Sequence, residues 1–356
     1  MPVLKEKAMA GKEWWRPEVF AARRANLDLR SRAVNATRAF FAARGFAEVE
    51  TPCLQVSPGL EPHLKAFATA LTDPYGGPDR PLYLHTSPEF AMKKLLVAGM
   101  PRLYQLAKVF RNAERSATHH PEFTMLEWYR AGASLDDLMD DTEALVQECA
   151  RAAGTKLLRR EDKDCDPFVP WRRLSVAEAF GEYAHMDVLA TAPDPTSPDR
   201  SALAAEATRI GISVSPSDTW EDIFFKVMLD RIEPHLGFDR PVILHSYPVS
   251  MAALSRPSPA DPRVAERFEA YALGVELCNA FGELTDAAEQ RRRFTADMDL
   301  KERLYGERYP LDEDFLAALD LGMPDSAGIA LGFDRLVMLL AGAQSIDEIL
   351  WAPVAQ

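Results

Sequence analysis

The chain has 356 residues, 47% hydrophobic and 27% charged, with a formal net charge of −13. That length suits one large domain or two smaller ones around a substantial core. The acidic balance argues against a basic surface that coats nucleic acid, and short basic runs such as Arg291 to Arg293 read as a solvated helix face.

Cys53, Cys149, Cys165 and Cys278 show neither CxxC pairing nor zinc-site spacing, so reduced and mostly buried thiols are expected. The opening residues, MPVLKEKAMAGKEWW, lack an apolar run of signal-peptide length. No stretch approaches the roughly 18 apolar residues of a membrane span, and a cytoplasmic protein is expected.

Residues 1–25 read as a tail, with WWRPEVF as a clamp that packs it down. In SRAVNATRAFFAAR, Ala33, Ala36 and Phe40 fall on one side of a helix that Gly45 would close. FAEVETP alternates as a strand does and stops at Pro52. LYLHTSPEFAMKKLLVAG predicts a strand and then a helix, with Ser87 as N-cap, Pro88 at the first helical position and Gly99 at the end. LYQLAKVFR and EFTMLEWYR are the arms of a long hairpin with a polar tip. Residues 151–170 read as a charged linker, TAPDPTSPDR as a loop, and TWEDIFFKVMLDRI as a helix; together they suggest a helical insert at about 150–240. PVILHSYP is a buried strand, RFEAYALGVELCNAFGEL is strand-like with a break at Gly274, and GIALGFDRLVMLLAG is a strand, a glycine turn and a helix. Strands that arrive as hairpins predict an α+β fold, an antiparallel sheet flanked by helices.

The segment FRNAERSATHHPEFTMLEWYR concentrates arginine, histidine and glutamate among aromatics. Strand alternation puts Phe123, Met125, Glu127 and Tyr129 on one face, and Glu122, Thr124, Leu126 and Trp128 on the other. An aromatic plate, a carboxylate and a phenol suit a flat base together with an amine. Arg111 would project toward the same pocket, and its planar fork matches phosphate oxygens. Taken alone, an exposed hairpin with cross-strand charge pairs would read the same way. Further on, Asn279, Phe281 and Glu283 alternate onto one strand face. Glu269 and Glu276 lie seven residues apart, and carboxylates with water and phosphate oxygens make a magnesium site. Asp334 and Arg335 occupy the first turn of the last helix, where backbone amides and the dipole favour an anion.

In this order the segments resemble the three signature motifs of class II aminoacyl-tRNA synthetases. Residues 31–52 resemble motif 1, the dimer-forming helix and strand; FRNAERSATHHPEFTMLEWY resembles motif 2, and GIALGFDR motif 3. TSPEF, HHPEFTMLEWY and ELCNAFGELTDAAEQ are similar to the lysyl branch. With motif 1 so near the start, no anticodon-binding OB-fold is expected. The nearest likeness is to the elongation factor P lysine ligase family, carried by RFEAYALGVELCNAFGELTDAAEQ and GMPDSAGIALGFDRLVML, with Ala330 where the tRNA synthetases usually have glycine.

The resemblance implies a class II catalytic domain over residues 26–350, a homodimer, ATP and Mg²⁺ as cofactors, and no tRNA. It implies that (R)-β-lysine, or lysine, is activated as an acyl-adenylate and passed to a lysine ε-amine on elongation factor P. By the same likeness Arg111 and Arg335 are catalytic, Arg111 on the α-phosphate and Arg335 on the γ side. Phe123 stacks on adenine, and Asn112, Ala113, His120, Leu277 and Gly332 surround ATP. Glu269 and Glu276 hold magnesium, Glu276 touching ATP as well. Ser87, Glu89, Glu127, Tyr129, Asn279, Glu283 and Ala330 frame the amino acid. Ala113 departs from the family's Arg-x-Glu, whose glutamate reads the adenine amine, so Glu114 or backbone would have to substitute. A truncated lysyl-tRNA synthetase that makes lysyl-adenylate for another acceptor is the alternative enzyme. A non-catalytic scaffolding dimer is opposed by the presence of Arg111 and Arg335.

Overall fold

A proline starts the first helix. In the computed structural model, which describes residues 13–194, 197–252 and 254–354, α1 (Pro17–Ala42) begins well inside the expected tail. Pro17 takes a first-turn position, where a missing N–H costs nothing. WWRPEVF is therefore a helix entrance rather than a clamp, and Trp15 is exposed. Residues 1–12 of the expected tail lie outside the described residues. Gly45, at φ 72°, sits just past the helix while the Phe46 N–H returns to the Phe41 carbonyl.

Four short strands and one crossover helix follow: β1 (Ala47–Glu48), then β2 (Leu54–Gln55), β3 (Phe67–Leu71) and β4 (Arg80–Leu84) as a small separate sheet, then α2 (Glu89–Val97). The long hairpin is β5 (Arg102–Phe110) and β6 (Glu122–Ala131). A Ser134–Asp137 capping box and a left-handed Gly154 bracket α3 (Leu135–Ala153). The expected linker after it instead carries a small hairpin, β7 (Leu158–Arg160) and β8 (Lys163–Cys165). The expected helical insert also contributes a strand to the main sheet, β9 (Arg172–Ser175). It continues with α4 (Val176–Ala179), α5 (Arg200–Arg209) and α6 (Trp220–Val227), gathered on their own apolar core around Phe180, Leu203, Trp220 and Phe224. The chain then completes the sheet with β10 (Val242–His245), β11 (Arg267–Ala272) and β12 (Val275–Gly282). Two helices, α7 (Ala287–Tyr305) and α8 (Glu313–Gly322), precede β13 (Ser326–Gly332) and α9 (Phe333–Ala341).

The main sheet has eight strands in the order β1-β5-β6-β13-β12-β11-β10-β9. From β5 to β10 every pair is antiparallel. Both edges are parallel, β1 on β5 and β9 on β10, so the sheet is mixed rather than wholly antiparallel. The reason is chain path: parallel pairing needs a long crossover, which the small sheet with α2 supplies on one edge and the helical insert on the other. One sheet face packs Leu126 and Trp128 against α1, α3 and α9. The other puts Tyr129 among α2, α7 and α8 and leaves a cavity beside them. No helix among the described residues is long and apolar enough to cross a membrane.

The two layers meet at one buried carboxylate. Asp334, in the first turn of α9, has no solvent exposure and is ion-paired with Arg30 of α1. Its other oxygen accepts the Thr124 N–H of β6 at 2.8 Å, and Arg30 also donates to the Thr124 hydroxyl at 2.9 Å. Arg30→Leu leaves that charge unmatched inside the protein. Urea unfolding should show a loss of about 3–5 kcal/mol; a loss under about 1 kcal/mol, the worth of a surface pair, would show that this pair does not join the layers.

Candidate active site

The cavity holds about 390 Å³ and lies on the face of β6, β12 and β13 away from α1. Its two ends differ in charge. Arg111, at the outer end of the hairpin, stands 5.3 Å from the Phe123 ring centroid. Its Nε is buried without a hydrogen-bond partner, an arrangement that an anion would complete. Across the cavity, Arg335 donates to the Glu276 carbonyl at 3.0 Å and lies 3.6 Å from the Glu276 carboxylate. Leu277 and Gly332 line the wall between them. Gly332 has an ordinary φ of −69°, so what glycine supplies here is room, not backbone freedom.

Motif 2 turns differently from the expectation. Ala113 adopts a left-handed φ of 64°, which removes it from the cavity wall and brings Glu114 onto it. Asn112 caps that turn, its Oδ1 accepting the Ala113 N–H at 2.9 Å, and does not line the cavity. His120 reaches the wall with both nitrogens engaged: Nδ1 meets the Glu122 carbonyl at 2.5 Å and Nε2 accepts the Val354 N–H at 3.1 Å. Its neighbour His119, unnoticed in the sequence, has Nε2 2.7 Å from Arg335. Burial, with Arg335 next, pushes the His119 pKa down, so a neutral ring accepts from the guanidinium and aims it.

At the other end Glu61, Ser87 and Glu89 line the wall, and Glu127, Tyr129 and Glu283 are buried outside the lining. Ser87 donates to Glu127 at 2.5 Å, and Tyr129 donates to its second oxygen at 2.9 Å. Glu89 and Glu283 lie on either side of the buried ammonium of Lys93, which is 2.5 Å from Glu283. Burial disfavours the Lys93 charge, but Glu283 and Glu89 more than offset it and raise its pKa. Sequence offered only the Glu89–Lys93 helical spacing as a signal for this residue. Ala330 pairs in register with Asn279 on one side and Glu127 on the other, so its methyl is at the centre of this wall. Asn279 accepts from Arg267 at 3.1 Å. Gly328 was also unforeseen: a Cβ there would fall 2.2 Å from both Glu283 and Tyr129. Only glycine leaves space for those two side chains.

Glu269 is held on all sides. One oxygen accepts from Arg267 at 2.5 Å, and the other from Tyr247 and Tyr271 at 2.6 Å each. Glu276 faces it, and burial followed by the Glu269 charge raises the Glu276 pKa. Glu233, another residue missed in the sequence, is pushed to about 7 by burial and then by Glu269 and Glu276. These hard oxygen donors in excess of cations fit a divalent ion such as Mg²⁺. Among the described residues, however, three acidic or imidazole ligands are not already gathered into a metal cluster.

Burial, with Glu89 next, pushes the Glu127 pKa up to about 8, and burial pushes Glu283 to about 7. A carboxyl raised in this way binds its proton more tightly folded than unfolded. Its contribution is therefore full below the unfolded value near 4.5 and is lost as pH rises toward 8. The melting temperature of the free protein should fall between about pH 5 and pH 8.5, and Glu127→Gln should flatten that fall. Parallel curves for the two proteins would overturn the protonated assignment.

The family model for class II tRNA synthetases (D, K and N) matches residues 16–356. The elongation factor P–(R)-beta-lysine ligase of Yersinia enterocolitica is 40% identical over 348 residues, 96% of this chain and 98% of that protein. Its counterpart in Edwardsiella ictaluri is 40% identical over 94% of this chain and 96% of its own. That of Haemophilus influenzae is 38% identical over 91% and 94%. The chain thus belongs to the class II (D, K and N) tRNA synthetase family, in the branch of the elongation factor P–(R)-beta-lysine ligases, and is a ligase.

Proposed function

We propose that this protein activates (R)-β-lysine with ATP and joins it to the ε-amine of a lysine on elongation factor P. One observation carries the reading: a single cavity has an unpaired guanidinium over an aromatic plate at one end and Glu61, Ser87 and Glu89 at the other, with Glu127 and Glu283 buried behind that wall. The first end suits a nucleotide triphosphate and the second a diamine, and an unpaired ammonium would be costly in any other pocket.

Two steps follow. The amino acid carboxylate attacks the α-phosphorus of ATP, giving the acyl-adenylate and pyrophosphate. Arg111 steadies the α-phosphate as charge develops there, and Arg335, aimed by His119, meets the γ side. Phe123 stacks on adenine, and Glu114 stands where it could accept from the adenine amine. Mg²⁺, held by Glu276 with Glu233 and backed by Glu269, would supply charge neutralisation on the phosphates. Glu127, Glu89 and Glu283 receive the substrate ammonium groups, with Ser87 and Tyr129 fixing Glu127 and Arg267 orienting Asn279. In the second step the acceptor ε-amine takes the acyl group from the adenylate, and AMP leaves. No side-chain nucleophile is required.

Formation of lysyl-adenylate for another acceptor is the second reading; tRNA is not the acceptor we infer. A homodimer over α1 and β1 is supported by the exposed apolar side chains of Leu54, Val56 and Leu71 on the adjoining small sheet. An acceptor that works in translation places the protein in the cytoplasm.

The test is ATP–pyrophosphate exchange with (R)-β-lysine, with α-lysine and with neither, followed by the intact mass of added elongation factor P. Exchange favouring β-lysine with one acyl mass gain supports the reading; exchange without any gain moves it to the second. Arg111→Ala should lower exchange about 10²–10³-fold, and unchanged exchange would sink the phosphate assignment. Ala330→Gly should shift preference toward α-lysine by about tenfold, whereas an unaltered ratio would mean the methyl merely packs.

A further inference from the structure

We propose that a second cavity is the channel by which the acceptor lysine enters, and that Glu61 at its inner end takes the proton from the entering ε-ammonium. The inference deepens the ligase reading above and rests on it.

The channel holds about 960 Å³ and shares Glu61, His63, Ser87 and Glu89 with the amino-acid end of the active site. It is walled by the loop 57–63, by α6 of the helical insert and by α7. This gives the insert a role that its sequence did not declare. Phe225, Leu304 and Tyr305, 45%, 50% and 54% exposed, form apolar lips. Glu221, Asp222, Asp297 and Asp299 line it with Glu61, Glu221 at the rim, Asp222 capping α6 and Asp299 paired with Arg308. Of the cations on the walls, Arg267 is already committed to Glu269 and Asn279, which leaves Arg303. The Ser250 hydroxyl lines the same space, buried and without a partner. An acidic lining with apolar lips fits a basic protein loop that presents a lysine, and continuity with the adenylate pocket gives that lysine somewhere to go.

Glu61 is the group at the junction. Its carboxylate takes a backbone hydrogen bond from its own N–H and pairs with no other side chain among the described residues, and Arg111, Glu89, Lys301 and Asp297 are the charges around it. Burial, then Glu89, raises its pKa; burial, then Glu61, raises Asp297 to about 7. A carboxylate so placed, with its proton affinity raised, is suited to accept a proton. The ε-ammonium gives one proton to Glu61 and becomes an amine. Its lone pair forms the C–N bond at the acyl carbon. The C–O bond to AMP breaks with its electron pair on the phosphate oxygen, which takes the second N–H proton.

Adenylate formation is read by ATP–pyrophosphate exchange and transfer by single-turnover acylation of elongation factor P. Glu61→Gln should lower transfer about 100-fold more than exchange, and Glu61→Asp should recover most of it. Glu221→Lys, on the channel rim, should raise KM for elongation factor P about tenfold while changing kcat far less. Exchange and transfer falling together in E61Q, transfer unaffected in E61Q, or an unmoved KM in E221K would each overturn the proposal. A wild-type enzyme that yields hydroxamate from its adenylate with hydroxylamine but never acylates elongation factor P would overturn the ligase reading itself, and the channel with it.

Discussion

The buried carboxylate of Asp334 is the point on which the rest of the site depends. It neutralises Arg30, which would otherwise be a costly charge in the packed layer between α1 and the sheet. It also takes the Thr124 N–H, a hydrogen bond from the very strand whose opposite face carries Phe123 and Met125. The next residue is Arg335. A single ion pair therefore sets the depth of the return arm, the start of α9 and the origin of the Arg335 guanidinium on the cavity wall. Sub-ångström placement of charge is what an adenylating site requires, because positioning is most of its chemistry.

Opposite charges are segregated along the cavity, and each end is kept from collapsing on itself. At the phosphate end a neutral His119 occupies Arg335 without cancelling its charge. At the amino-acid end Lys93 relieves two glutamates from behind and stays out of the cavity lining. Glu269 is locked by two tyrosines and an arginine, so Glu276 remains the acid at the wall. Partner groups set behind the wall let the wall itself stay charged toward a ligand.

The hairpin faces were legible because a strand repeats every two residues: Phe123, Met125, Glu127 and Tyr129 needed no tertiary information. The β11–β12 break at Gly274 and the β13–α9 junction were legible for similar local reasons. What was hidden depends on distant chain. Lys93 becomes part of the site only when α2 docks beside β12, and Arg267 only when β11 pairs with β12. The Gly328 requirement comes from Glu283 and Tyr129 on other strands. Ala113 has a left-handed φ that no sequence pattern announced, and Glu114 rather than Ala113 lines the cavity. The parallel edges were set by crossover paths that no local pattern records.

Glu127 has a consequence for how the pocket trades cations. Both its oxygens already accept hydrogen bonds, yet burial holds a proton on it. The carboxyl behind the wall is thus pre-loaded with the smallest cation available, and an ammonium arriving in front of it would displace that proton. Entry of a diamine becomes an ion exchange, H⁺ out and R–NH₃⁺ in. A neutral analogue of the same shape has nothing to trade, so the carboxyl stays neutral and the field that favours a cation is never switched on. Selectivity for a charged side chain then resides in the exchange itself, beyond any fit of shape.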